Sequence, residues 1–386
     1  MTRRRLITAA AAAGGAVLGA TAVPAPAAAA DPSLYSVALD SFPGATDDAK
    51  LDSALSYVAT QTYKPTIQLG TRQTTFGKTR LLFDGFSISG PAGVGTEFSF
   101  TNKVKISTPG TGWLDVPAPK VRGIYIGGLC FEGDSNTTFF VDHDNNGPVL
   151  WASTIRDVGF NLFRHVIWGA HDAVTFDGFW DVNNCYDTEF KLWGSDSNYF
   201  TNGLLIDSPN TGTGNRYHVW APWLGKTTFG PMFITGKANT TPMRIDGGRG
   251  IVVQAARFEA QQGNPTLGSQ LLITGGTFVR IRDPWFFNGM SAAGSTGHST
   301  PAYDKGIVTI TGGSNIVIDG AMFSDGDGNQ TGATAAGTPH VYVGGGTGVR
   351  LRNLQASTSD QLRVVRAATV NASAIVTDPD VTVTVG

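Results

Sequence analysis

MRIDGGRGIVVQAARFEA (243–260), LLITGGTFVRIRDPWFFNG (271–289) and VTITGGSNIVIDGAMFSDG (308–326) are copies of one pattern. Each holds a β-rich run, a Gly pair, a second β-rich run and then an aromatic residue. VYVGGGTGVRLRNLQAS (341–357) repeats the pattern without the aromatic. The Gly pairs at 247–248, 275–276, 312–313 and 345–346 are 28, 37 and 33 residues apart. A unit this short cannot bury its apolar face alone, and stacking successive units buries a continuous core. Uneven steps suit a solenoid whose loops differ in length. A propeller blade needs about four strands in about 40–50 residues, more than each copy holds. The pattern predicts a parallel β-helix, with Gly pairs at the corners between strands, where positive φ is often needed.

Composition agrees. Glycine supplies 50 of 386 residues, nearly twice the usual share of roughly 7%. Gly costs about 1 kcal/mol against Ala at each helical position, which argues against a helical bundle. No three-residue Gly period exists, so collagen is excluded. Charged residues make up 15% and aromatics 10% of the chain, which excludes intrinsic disorder. A formal charge of −2 leaves no basic surplus for nucleic acid.

Residues 1–30 read as a targeting segment. Thr2-Arg3-Arg4-Arg5-Leu6-Ile7 precedes an Ala-rich apolar stretch, and Ala28-Ala29-Ala30 before Asp31 fits an A-x-A cleavage site. The order resembles a twin-arginine export signal, with an ordinary secretory signal as the alternative. Pro24 and Pro26 interrupt the apolar stretch, and no later segment is apolar enough to span a bilayer. A secreted protein without a membrane partner after cleavage is expected. The segment holds three of the basic residues and no acid, so its removal takes the formal charge to −5. Cys130 and Cys185 are a disulfide pair or two core thiols. Residues 31–65 are expected to form an N-terminal cap, with 66–386 as the β-helix. Within the cap, Thr46 is the predicted N-cap of an amphipathic helix. Asp47 and Asp48 sit in its first turn, and Leu51, Ala54, Leu55, Val58 and Ala59 follow at helical spacing.

Phe42-Pro43-Gly44-Ala45-Thr46-Asp47-Asp48 resembles the G-x-T-D-D opening of the pectate lyase-like right-handed β-helix superfamily. Thr66-Ile67-Gln68-Leu69-Gly70 and Phe86-Ser87-Ile88-Ser89-Gly90-Pro91 are similar to that superfamily's first coil, although the tyrosine of its P-x-G-x-Y segment is missing and Phe76 is the nearest aromatic. The resemblance implies an all-β, right-handed parallel β-helix with a short N-terminal capping helix. Members of the superfamily include polysaccharide lyases, glycoside hydrolases, tailspikes and non-catalytic proteins, so the fold does not fix the activity.

Glycoside hydrolysis needs two carboxylates facing one bond, and a lyase needs a base and a cation. Residues 171–223 are the densest polar and aromatic stretch. Candidate catalytic residues there are His171, Asp181, Glu189, Asp196 and His218. Trp180, Arg216, Trp220 and Trp223 are candidates for substrate binding, because indole rings stack on sugar C–H faces. A 25-residue offset between Val166–His171 and Lys191–Asp196 pairs His171 with Asp196 on neighbouring coils. Arg257, Glu259 and Arg282 form a second candidate group, either a catalytic pair with a clamp or an ion pair between coils. For each residue the alternative is a turn or core role, with Trp168 and Trp193 as stacked core. Asp142, Asp144 and Asn146 have the spacing of a Ca²⁺ loop, but Ser153 stands where a bidentate acid belongs, which excludes an EF-hand. Val141-Asp142-His143 is similar to the I-D-H of pectate lyases, whose R-x-P-x-x-R motif is absent, as are the Asp-Asp and Gly-His-Gly of polygalacturonases. The expected function is cleavage of a polysaccharide, by lyase or hydrolase chemistry; the alternative is non-catalytic glycan binding or surface attachment. The oligomeric state stays open.

Overall fold

In the computed structural model, the strands at the Gly pairs stack in register. Ile245 lies beside Ile273, Ile273 beside Ile310 and Ile310 beside Val343. The structure describes residues 35–90, 103–107, 112–117, 119–141, 149–183, 185–207, 217–236, 241–260, 269–288, 305–324, 339–356 and 362–386.

The register follows from the corners. A Cβ on Gly275, Gly312 or Gly345 would lie 2.0, 2.1 or 2.2 Å from a carbonyl oxygen of the preceding coil. Only Gly permits that approach. The second Gly of each pair has positive φ, at 95° for Gly276, 91° for Gly313 and 97° for Gly346, which L side chains rarely adopt. The two glycines of each pair thus answer two different steric demands.

Repeating this unit gives a parallel β-helix. One 13-stranded sheet carries, among others, Phe190–Asp196, Tyr217–Gly225, Thr241–Ile245, Leu271–Ile273, Val308–Ile310 and Val341–Val343. A 20-stranded sheet, which bends between runs such as Val252–Gln254 and Ala256–Ala260, and a three-stranded sheet of Arg80–Leu81, Gly112–Asp115 and Thr138–Phe140 supply the other faces. Inward residues form ladders. Phe258, Phe286 and Phe323 stack with centroids 5.1 Å apart at each step. Phe176, Phe200 and Phe229 stack at 4.5 and 4.6 Å. All six are buried, and offset aromatic pairs add to burial.

The cap follows its sequence signals. The helix Asp47–Thr60 has Thr46 at its N-cap, accepting a hydrogen bond from the Ala49 N–H, and buries Leu51, Ala54 and Val58. Its first-turn acids fasten it to the opening coils. Asp47 accepts from the Thr75 N–H at 2.9 Å and pairs with Arg72 at 2.6 Å. Asp48 accepts from the Gly77 N–H at 2.8 Å and pairs with buried Arg80 at 2.7 Å. No helix among the described residues is long and apolar enough to cross a membrane. Cys130 and Cys185 are both buried.

Candidate functional site

On the 13-stranded sheet, Phe190, Leu192, Val219, Ala221, Met243 and Ile245 point inward and are buried. Strand alternation therefore turns their neighbours outward. Trp168, Lys191, Trp220 and Arg244 fall in register on four successive coils. Lys191 Nζ lies 4.1 Å from the Trp168 ring centroid, 4.8 Å from Trp220 and 5.6 Å from Trp193. Arg244 lies 4.8 Å from the Tyr217 ring and 5.7 Å from Trp220. Asp246 orients this end, accepting from Trp220 Nε1 at 2.7 Å and from Arg244 Nε at 2.5 Å. Trp193 pairs with Trp223, whose side chain is 45% exposed. The result is an outward row of indoles interleaved with cations.

Along the edge of the same sheet runs a second row. Arg122, Trp151, Asp172, Asp196, Gly225 and Arg249 follow one another in register. Lys120 and Arg122 each lie 4.8 Å from the Trp151 ring. Burial and then the Asp196 charge push the Asp172 carboxyl above its ordinary value, against the pull of Lys120 and Lys226. Asp196 accepts from Ser197 Oγ at 3.1 Å. A Cβ on Gly225 would lie 2.7 Å from Asp196 Oδ1, so that glycine makes room for the carboxylate.

A left-handed residue follows each member of this second row. At the ends of the row it is Gly123 or Gly250, with φ of 65° and 72°; between them it is Ala152, Ala173, Ser197 and Lys226, at 47°, 54°, 55° and 40°. The Ala152, Ala173 and Ser197 N–H groups donate to the next coil at 3.0, 3.0 and 2.9 Å. Such backbone costs about 1–2 kcal/mol per L-residue. Retained strain concentrates at functional sites, and here it brackets the Asp172–Asp196 pair.

The other candidates fare differently. His171 is buried between Phe140 and Phe176, and burial pushes its pKa down to about 3. It is a neutral core residue and not half of a proton-transfer pair with Asp196. The 25-residue offset does not hold: Trp168 pairs with Lys191 and Asp172 with Asp196, with a break at Ala170 between the strands Ile167–Gly169 and His171–Asp172. Trp168 and Trp193 are half-exposed on the outer face, not stacked core. Glu189 and His218 do meet, at 2.9 Å, but Glu189 is fully buried and His218 nearly so, which removes both from contact with a polymer. Glu259 is 6% exposed and bonded to Arg257 at 3.0 Å, with the guanidinium over Phe233, Trp285 and Phe287. Arg282 lies beyond a bend, in register with Gln254 and Asp319, and does not join that pair. Trp180 and Asp181 lie on the strand Thr175–Asn183, but their side chains are outside the described parts. Arg216, Asp142, Asp144 and Asn146 lie outside the described residues, as does the segment 1–30. Among the described residues no group of three or more His, Cys, Asp or Glu could hold a metal ion.

No protein-family model matches the chain, and no curated protein is similar to it. Solved structures are similar in fold. A DFA-IIIase from Arthrobacter chlorophenolicus A6, without its lid and in complex with GF2, superposes with a TM-score of 0.65 at 12% identity, covering 90% of this chain and 99% of that one. The DFA-IIIase in complex with GF2 gives 0.60 at 14% identity, covering 90% and 93%. The Dettilon tailspike protein gives 0.52 at 8% identity, covering 91% of this chain and 68% of that one. The chain shares the parallel β-helix fold of these structures.

Proposed function

We propose that this protein is an exported glycoside hydrolase that binds a polysaccharide along the Trp168–Arg244 row and cleaves it at Asp172 and Asp196. The carrying observation is the outward row of Trp168, Lys191, Trp220 and Arg244, with Trp193 and Trp223 beside it. Indoles offer flat apolar surface to sugar C–H faces, and the cations offer donors to hydroxyls. Support from other proteins comes from the DFA-IIIase of similar fold, solved in complex with GF2. The twin-arginine-like segment supports export.

The two carboxylates divide the work. Asp172 holds its proton to higher pH than an ordinary aspartate, so it serves as the acid that protonates the leaving oxygen. The Asp196 carboxylate attacks the anomeric carbon, forming a glycosyl ester as the bond to the leaving group breaks. Water, deprotonated by Asp172, then releases the sugar and restores both groups. Adjacent strands are about 4.8 Å apart. That spacing favours the retaining geometry, with carboxyls about 5–5.5 Å apart, over the wider inverting one.

A polysaccharide panel tests this by reducing-end assay and by absorbance at about 235 nm, where unsaturated lyase products absorb. Reducing ends without absorbance, and a loss of about 10²–10⁴-fold in turnover for Asp172→Asn with binding retained, support it. Absorbance at that wavelength means lyase chemistry. Binding without either signal leaves a non-catalytic glycan-binding protein, a reading favoured by the burial of Glu189 and Glu259.

A further inference from the structure

The geometry points to an anionic glycan as the ligand of this site, with charged sugar units held on both sides of the Asp172–Asp196 pair. This rests on the reading that the sheet binds a glycan. On one side, the half-buried Trp151 ring carries exposed Lys120 and Arg122. On the other, exposed Arg249 lies 5.5 Å from the Phe278 ring, which is 41% exposed, and Lys226 is exposed beside it. Each flank therefore joins an aromatic surface to two cations, the chemistry that recognises a sugar ring bearing a carboxylate, sulfate or phosphate. Among the described residues none of the four cations has a carboxylate within ion-pair distance, and Lys120 and Lys226 act on Asp172 only through longer-range attraction.

The spacing fits a polymer. Arg122 and Arg249 are five strand steps apart along the row, about 24 Å at about 4.8 Å per step. Several sugar units span that length, with the acid pair near its middle. Phe278 adds an independent observation. Its φ is 56°, at the corner where neighbouring coils use Gly250, Asn315 and Gly348. A bulky side chain in the left-handed region is an outlier. Keeping it there, with the ring exposed under Arg249, matches a surface held out for a ligand.

Calorimetry on the full mature chain tests the inference. The probes are hexasaccharides of uronates and a sulfated glucan hexasaccharide, each beside its neutral counterpart, methyl-esterified or desulfated. At least one anionic probe is expected to bind about tenfold tighter or better than its counterpart near 0.15 M salt, with the gap narrowing as salt screens it. The Lys120→Ala/Arg122→Ala double variant is expected to weaken that probe at least about threefold more than it weakens the neutral one. The uronate and sulfate arms separate the two sources of charge. Equal, salt-independent binding of charged and neutral probes, still weakened by Trp220→Ala, overturns the anionic specificity and leaves the glycan site standing. Binding of none of the probes overturns both.

Discussion

Replacing Gly312 with Ala tests the corner that sets the register of the whole coil. The added Cβ would stand 2.1 Å from the Thr274 carbonyl oxygen. Ordinary carbon–oxygen contacts begin near 3.3 Å, so the two coils must part locally by about 1.2 Å. The ladder bonds on either side, Thr311 N–H to Ile273 O and Ser314 N–H to Gly276 O, are both 2.8 Å and would stretch. Two weakened backbone bonds cost about 0.5–1.5 kcal/mol each, and overpacking adds about 1–3 kcal/mol. The expected loss is about 2–6 kcal/mol. Urea unfolding followed by tryptophan fluorescence measures it as a shift in midpoint at constant slope. Gly203→Ala is the control: its φ is 95° and nothing lies within 4 Å of the new Cβ, so it carries only backbone strain of about 1–2 kcal/mol. If Gly312→Ala stays within about 0.5 kcal/mol of wild type, below the control, the close approach of the coils at this corner is refuted.

Other outcomes follow from particular residues. Phe286→Ala removes the middle of the Phe258–Phe286–Phe323 stack and should cost about 3–5 kcal/mol in urea unfolding. His165 and His171 are held at pKa values of about 4 and about 3, mainly by burial, against 6.5 unfolded. Below pH 6.5 the unfolded chain gains protons that the folded one refuses, so stability should fall as pH drops, by up to about 1.4 kcal/mol per pH unit for each histidine. His171→Leu should flatten that slope by one histidine's share, and an unchanged slope would count against the burial. The raised Asp172 pKa means that its ionised form is disfavoured in the folded state. Asp172→Asn should therefore be more stable than wild type at pH 7, with the gain vanishing once pH falls below 3.8, although cleavage is lost. Intact mass of the exported protein should place Asp31 first, and changing Arg3, Arg4 and Arg5 to Lys should retain the chain inside the cell.

The fold was readable because its strictest steric demand leaves a mark in the sequence. Each corner needs Gly twice, and the pairs at 275–276, 312–313 and 345–346 record it. The cap was readable for a similar reason, since Thr46 and the acids after it answer local needs of a helix start. The site was harder. Its rows depend on register, and the irregularities between Lys191 and Trp193 and between Trp193 and Ser195 shift positions in ways that spacing does not show. A motif offset therefore paired His171 with Asp196, where the strands pair Asp172 with Asp196. Which side a polar residue faces was also hidden. Glu189 and His218 turn inward and pair with each other. Lys191 and Arg244 drew no reading from spacing, because only the register places indoles beside them.

The glycan surface itself is tested most directly by titrating a bound oligosaccharide against tryptophan fluorescence in wild type, Trp220→Ala and Trp223→Ala. Saturable quenching in wild type is expected, with affinity lowered by about tenfold or more in both variants, since ring stacking contributes about 1–3 kcal/mol per ring in comparable aromatic platforms. Unchanged affinity in both variants would contradict the assignment of this sheet as the surface that binds sugar.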